Sequence, residues 1–305
     1  MKMKRFVSIA LCALMLLPIL AGCGAKTEPT VATAAPAPAA TEAPAAPAET
    51  EAPVAFAEDV QKIVDRGVLR VGVKNAVLGF GFQDELTGEY SGMEISLAEK
   101  IAEYLGVDVE FTAVTAATRT ELLDSGDIDC VLATFTITEE RKKSWDFTTP
   151  YYTDYVTVLV EDAAGIKTLA DLKDKKVGVS SGSTSAKALV KAMIEAGVLS
   201  GDGFDADTFD PATWTDGVSF AQYDDYPTIS TALSAGEVDA FCVDKSILAV
   251  YHTDGRSYID DKFSPQEYGI ATTKGSGMSA LCEELITGWL ADGTIDGLIA
   301  ENGIA

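Results

Sequence analysis

One histidine, His252, stands among 305 residues. That excludes a paired-imidazole metal site and argues against a histidine-based catalytic triad. The five cysteines, Cys12, Cys23, Cys130, Cys242 and Cys282, show no disulfide framework in their spacing. Cys130 and Cys242 fall inside apolar runs and read as buried thiols that behave as small hydrophobes. Asp and Glu number 47 against 23 Lys and Arg, yet no acid–base constellation emerges, so no enzyme, metal or cofactor is expected. A few cations and hydroxyls stand at element ends instead. Lys74 ends the apolar run Val68–Val73, and Arg119 lies in Thr115-Ala116-Ala117-Thr118-Arg119. Arg141 opens the run Arg141-Lys142-Lys143, which on pattern alone reads as solvated charge. Thr184 follows Gly182-Ser183 and opens a helical stretch, where an N-terminus favours an anion. Asp244 closes Val238–Val243 and on pattern alone reads as a helix N-cap before Ser246-Ile247-Leu248.

The elements that must position these residues alternate. Strands are predicted over Val68–Val73, Val107–Phe111, Ile128–Ala133, Val156–Val160, Val177–Val179, Val238–Val243 and Tyr268–Thr272. Helical spacing covers Ile95–Leu105, Arg119–Leu123, Leu169–Leu172, Ala186–Ala196, Ile229–Leu233, and the regions around Leu281–Leu290 and Ile295–Ile299. Repeated β-α-β units mean open, largely parallel sheets covered by helices on both faces. A composition 47% hydrophobic and 23% charged can bury such cores. The formal net charge of −24 repels phosphate, so nucleic-acid binding is not expected.

Residues 1–22 read as an export signal. Lys2, Lys4 and Arg5 precede an apolar stretch, Phe6–Leu20, that is short for a span and interrupted by Pro18. The stretch ends Leu20-Ala21-Gly22-Cys23, which resembles the bacterial lipobox, so cleavage before Cys23 and lipidation of its thiol are expected. Removing three positive charges and no acids takes the net charge from −24 to −27. Residues 23–57 then form a Pro/Ala-rich tether that cannot bury enough apolar area to order itself. At about 3.1 Å per residue it could reach on the order of 100 Å.

The order of several short segments resembles bacterial extracellular solute-binding proteins of family 3, which serve amino-acid ABC importers. Gly67-Val68-Leu69-Arg70-Val71-Gly72-Val73 matches the first strand, and Gly92-Met93-Glu94-Ile95 a helix start. Gly126-Asp127-Ile128-Asp129 precedes Thr136-Ile137-Thr138-Glu139-Glu140-Arg141, and Asp146-Phe147-Thr148-Thr149-Pro150-Tyr151-Tyr152 matches the crossover. Leu169-Ala170-Asp171-Leu172-Lys173, Val177-Gly178-Val179, Gly182-Ser183-Thr184, Gly236-Glu237-Val238-Asp239-Ala240, Asp244 and Tyr268-Gly269-Ile270-Ala271 complete it. The resemblance implies a class II periplasmic-binding-protein-like α/β fold. Its first lobe would take residues 58–154 and 267–305 and its second 155–266, joined by two crossover strands. Residues 200–218 look like a surface insertion on the second lobe.

The same resemblance implies a ligand site. Arg141 stands at the position that binds the α-carboxylate, Thr134, Thr136 and Thr184 in the segments that assist it, and Asp244 at the ammonium-binding aspartate. A guanidinium fork suits a carboxylate, and burying either charge of an amino acid without a partner would be costly. Val77 and Ala116 occupy the places where many members clamp an apolar or cationic side chain between aromatics. Lys74 and Arg119 enter instead, a pattern similar to the aspartate/glutamate-binding branch. Lys74, Arg119 and Arg141 against Asp244 give a local charge of +2, which favours an acidic ligand over glutamine, serine or cystine. A dehydratase-like enzyme is the rival class. The implied partners are a free amino acid and the permease and ATPase of an importer. A monomer on the outer face of the cell membrane, or its periplasmic side, is expected.

Overall fold

The computed structural model describes residues 55–304; the leader, Cys23 and the tether up to residue 54 lie outside them. The last three tether residues belong to the folded body, because Phe56 packs edge-on against Tyr104 at 6.4 Å.

The chain enters through α1 (Glu58–Arg66) into β1 (Val68–Val73), then makes a small sheet of β2 (Ala76–Val77), β3 (Gly81–Gln83) and β4 (Tyr90–Ser91). Helix α2 (Met93–Leu105) follows, with Leu97, Ala98, Ile101 and Leu105 on one buried stripe and Gly106 closing it in the left-handed region. Next come β5 (Asp108–Ala113), α3 (Thr118–Ser125), β6 (Cys130–Leu132) and β7 (Trp145–Phe147). The chain then leaves through β8 (Tyr152–Glu161) and builds β9 (Lys175–Ser180), α4 (Ser185–Glu195), β10 (Val218–Tyr223), α5 (Tyr226–Ala235), β11 (Ala240–Asp244), α6 (Lys245–Leu248) and β12 (Arg256–Tyr258). It returns through β13 (Phe263–Tyr268) to β14 (Ala271–Thr273) and ends in α7 (Gly277–Ala291) and α8 (Thr294–Glu301).

Two mixed sheets result. The first has the order β5-β1-β6-β14-β7 and the second β10-β9-β11-β8-β12, with β13 also paired to β8. This is the two-lobed, class II periplasmic-binding-protein-like fold. The sheets are less parallel than the β-α-β pattern predicts, because the outgoing strand β8 pairs antiparallel with β11, β12 and β13, and β14 pairs antiparallel with β6 and β7. The single strand predicted over Tyr268–Thr272 is two strands, separated by Gly269-Ile270 where the chain passes from one sheet to the other. The helix predicted at Leu169–Leu172 is a 3₁₀ turn with a Thr168–Asp171 capping box. Residues 200–217 carry no helix or strand, yet Phe204, Phe209 and Trp214 pack on one another and cover the core of the second sheet. Among the described residues no helix is long and apolar enough to cross a membrane.

Candidate functional site

Chemistry-bearing residues gather at the carboxyl ends of the parallel strands, where open α/β sheets leave a crevice. Lys74 follows β1, Thr134 lies just beyond β6, Asp244 ends β11, and Thr184 lies between β9 and α4. Tyr226 opens α5 after β10, and Asp225 caps that helix by accepting the Thr228 N–H. Arg119 lies in the first turn of α3, where Thr115 and Thr118 each donate a backbone N–H to the other's hydroxyl.

Six of the seven residues singled out above line one pocket between the lobes: Arg119, Thr134, Thr136, Arg141, Thr184 and Asp244. Lys74 is not among its lining. It faces an adjoining groove of about 530 Å³, and Tyr226 forms a wall of both spaces, with the Lys74 ammonium 5.2 Å from its ring centre. Ala116 lines the pocket, whereas Val77 is wholly buried in the core.

Both guanidinium groups are held from behind by carbonyls. Arg119 donates to Ala133 at 2.9 Å, and Arg141 donates to Thr136 at 2.7 Å and, across the cleft, to Gly182 at 3.0 Å. Both lie over the Phe135 ring, at 3.7 and 4.7 Å. Among the described residues no carboxylate comes within 4.0 Å of Lys74, Arg119 or Arg141. Three hydroxyl oxygens of pocket residues, Thr134 Oγ1, Ser183 Oγ and Ser185 Oγ, are buried without a partner. Buried polar atoms seldom stay unmatched, so a polar ligand gains most there.

Burial pushes the Arg119 guanidinium down to about 10. Burial, reinforced by Arg119 beside it, pushes Arg141 down to about 9. Lys74 falls well below the ordinary lysine range, through burial first and Arg119 second. Asp244 rises to about 7 through burial and the neighbouring Asp154, although the Tyr268 hydroxyl 2.6 Å away favours its ionised form. Each charge is thus destabilised until an opposite charge arrives.

Sequence reasoning missed the residues behind the site. Glu94 is fully buried and accepts the Thr134 N–H and the Tyr151 hydroxyl, both at 2.6 Å. It helps to hold Thr134 at a φ of 44°, a strained conformation for a β-branched residue. Asp154 is buried too, accepting the Ser246 N–H and hydroxyl. An acid in the first turn of a helix or inside a strand carries no sequence sign of such a role. These two carboxylates offset two cations, so the local charge of +2 drawn from four residues becomes zero over six when all are ionised.

The family model for bacterial extracellular solute-binding proteins, family 3, matches residues 69–299. The chain belongs to that family. A glutamine-binding protein of Geobacillus stearothermophilus is 32% identical over 277 residues, covering 89% of this chain and 93% of the relative. A glutamate-binding protein, GluB, of Corynebacterium glutamicum is 29% identical, covering 78% of this chain and 79% of the relative. Among solved structures, an ancestral arginine-binding protein bound to arginine superposes with a TM-score of 0.64 at 35% identity, covering 77% of this chain and 98% of that one. Membership in an extracellular family places the folded body outside the cytoplasm.

Proposed function

We propose that this member captures an acidic amino acid, glutamate or aspartate, between its lobes. The broader role is that of the substrate-binding component of an amino-acid ABC transporter. The observation that carries the finer reading is the pair of guanidinium groups, Arg119 and Arg141, lining one pocket with no carboxylate partner among the described residues. One α-carboxylate satisfies one guanidinium. A second, side-chain carboxylate satisfies the other and relieves their mutual repulsion. In this reading Arg141 holds the α-carboxylate, Asp244 the ammonium and Arg119 the side-chain carboxylate. Thr134, Thr136 and Thr184 complete the polar lining, and Lys74 adds positive potential from beyond Tyr226. The site binds and releases its ligand without chemistry. Lipidation of Cys23 would hold the protein, as a monomer, on the outer membrane face beside its permease and ATPase.

A second reading, glutamine, is favoured by one observation: the six charges around the site, five of them buried and Arg141 half-buried, sum to zero when all are ionised, which a net-neutral ligand preserves. Calorimetric titration of the protein with glutamate, aspartate and glutamine decides between the two. The acidic reading expects glutamate or aspartate to bind at least tenfold more tightly than glutamine. Preference for glutamine would overturn it and establish the alternative. No binding by any of the three would remove both.

A further inference from the structure

Gln266 lies on the returning strand β13 and is buried, at 2% exposure. Its Nε2 donates to the Ser264 carbonyl at 2.9 Å. A carbonyl can only accept, so the amide nitrogen must face Ser264, and Oε1 must face the other way. There it meets two hydroxyls, Thr136 Oγ1 and Thr184 Oγ1, each at 2.8 Å. Thr136 follows β6 of the first lobe and forms an isolated bridge with Tyr268, whereas Thr184 lies between β9 and α4 of the second lobe. A hydroxyl has one proton. Both threonines have committed theirs to one oxygen.

We infer that Gln266 is a positioning residue that latches the two lobes together through this shared oxygen. The latch turns both hydroxyl protons away from the pocket. Thr136 and Thr184 can then meet a ligand carboxylate only through backbone N–H groups, and their hydroxyls offer only lone pairs, suited to an ammonium. Swinging the lobes apart moves the two threonines with different sheets, so the latch also biases the protein toward the closed arrangement before any ligand arrives. Since apparent affinity scales with the population of the competent state, the latch raises affinity without touching the ligand.

The inference about ligand contacts rests on the proposed amino-acid site, and the test therefore has two arms on the full chain. The first needs no ligand: hydrogen exchange of the cleft segments 134–141 and 180–188, with 68–73 as internal control. Gln266→Met and Thr184→Val should each speed exchange of the cleft segments about tenfold, and their combination no further, because they break the same contact. Unchanged exchange, or effects that simply multiply, would overturn the latch. If Gln266→Met does not fold, the pair Thr136→Val and Thr184→Val, also less than multiplicative, decides the same point. In the second arm, Thr136→Val should weaken binding of the preferred amino acid roughly tenfold in the native background and hardly at all in Gln266→Met. Equal weakening in both backgrounds would mean that the hydroxyl touches the ligand directly, and the latch would fall. Absence of amino-acid binding would refute the proposed function alone, with the exchange arm still deciding the latch.

Discussion

Arg119 and Arg141 are chemically alike and are proposed to do different work. Arg119→Ala should weaken glutamate or aspartate tenfold to a hundredfold, the loss of one charge-assisted hydrogen bond of about 1.5–3 kcal/mol. Glutamine should lose less or gain, because a buried unpaired cation has gone. Arg141→Ala should weaken all three, and calorimetry on both variants shows whether the losses separate in this way. Asp244 links binding to protons. Its carboxyl ordinarily titrates near 3.8 and here near 7, so the ligand-free site carries a proton over much of that interval. A bound ammonium requires the ionised form. Binding should therefore release up to one proton near pH 6, and affinity should fall about tenfold per unit as the pH drops further. Titration in buffers of different ionisation enthalpy measures that release, and Asp244→Asn should abolish it. The raised value also means that Asp244 contributes stability that is fully present below about pH 4 and lost as the pH rises through 7. Ligand-free Asp244→Asn should thus be more stable than the native chain at pH 8, by roughly 1–3 kcal/mol, with the gap closing by pH 5. Six of the residues that line the pocket were legible because they sit in short segments of recognisable order, whereas Tyr226 and Ser185, which also line it, were not singled out. Glu94, Asp154 and Gln266 were not, since their roles depend on partners 40, 92 and 130 positions away.

At the scale of elements, the loop between β9 and α4 decides how closely the lobes meet. Gly182 has a φ of +74°, and a Cβ there would stand 2.7 Å from the Ala116 carbonyl oxygen of the opposite lobe. Gly182→Ala therefore meets both a left-handed backbone penalty of about 1–2 kcal/mol and a backbone clash that no rotamer relieves. Ligand affinity should drop at least tenfold, and small-angle scattering at saturating ligand should show a less compact particle than the native chain; native affinity would show that the lobes need not approach there. Most elements were readable from periodicity: α2 shows its stripe at 97, 98, 101 and 105, and β11 is buried along its whole length. Besides α1, periodicity did not show β7, β12, β10 with one fully buried residue in six, or the short strands β2–β4. Such strands are set by neighbours in the sheet rather than by their own pattern. Residues 200–217 are exposed or half-buried throughout, as expected of a surface insertion, but that their three aromatics pack together over the second core was not visible before the fold.

For the whole molecule, the sequence before residue 55 offers the simplest test. Cys23→Ala should move the protein from the membrane fraction into the soluble fraction, and unchanged retention would rule out lipidation at that thiol. The strand order of the first sheet has a consequence for how the chain acquires its structure. Strand β14 lies between β6 and β7, although it arrives more than a hundred residues after them. Without it, β7 has no partner, whereas the second sheet draws all its strands from one uninterrupted stretch. Contacts of such wide sequence separation form late, because loop closure must precede them. The first lobe thus stays incomplete until residues 271–273 have emerged, just after β13, the last strand of the second sheet, ends at Tyr268, whereas β8–β11 of the second sheet are already in place by Asp244. A chain moving across a membrane from its amino end would keep its leading half unfinished throughout, a useful property for a substrate threaded through a narrow pore. Pulsed hydrogen-exchange labelling during refolding should find β8–β11 protected before β6 and β7, and simultaneous protection would refute that sequence of events.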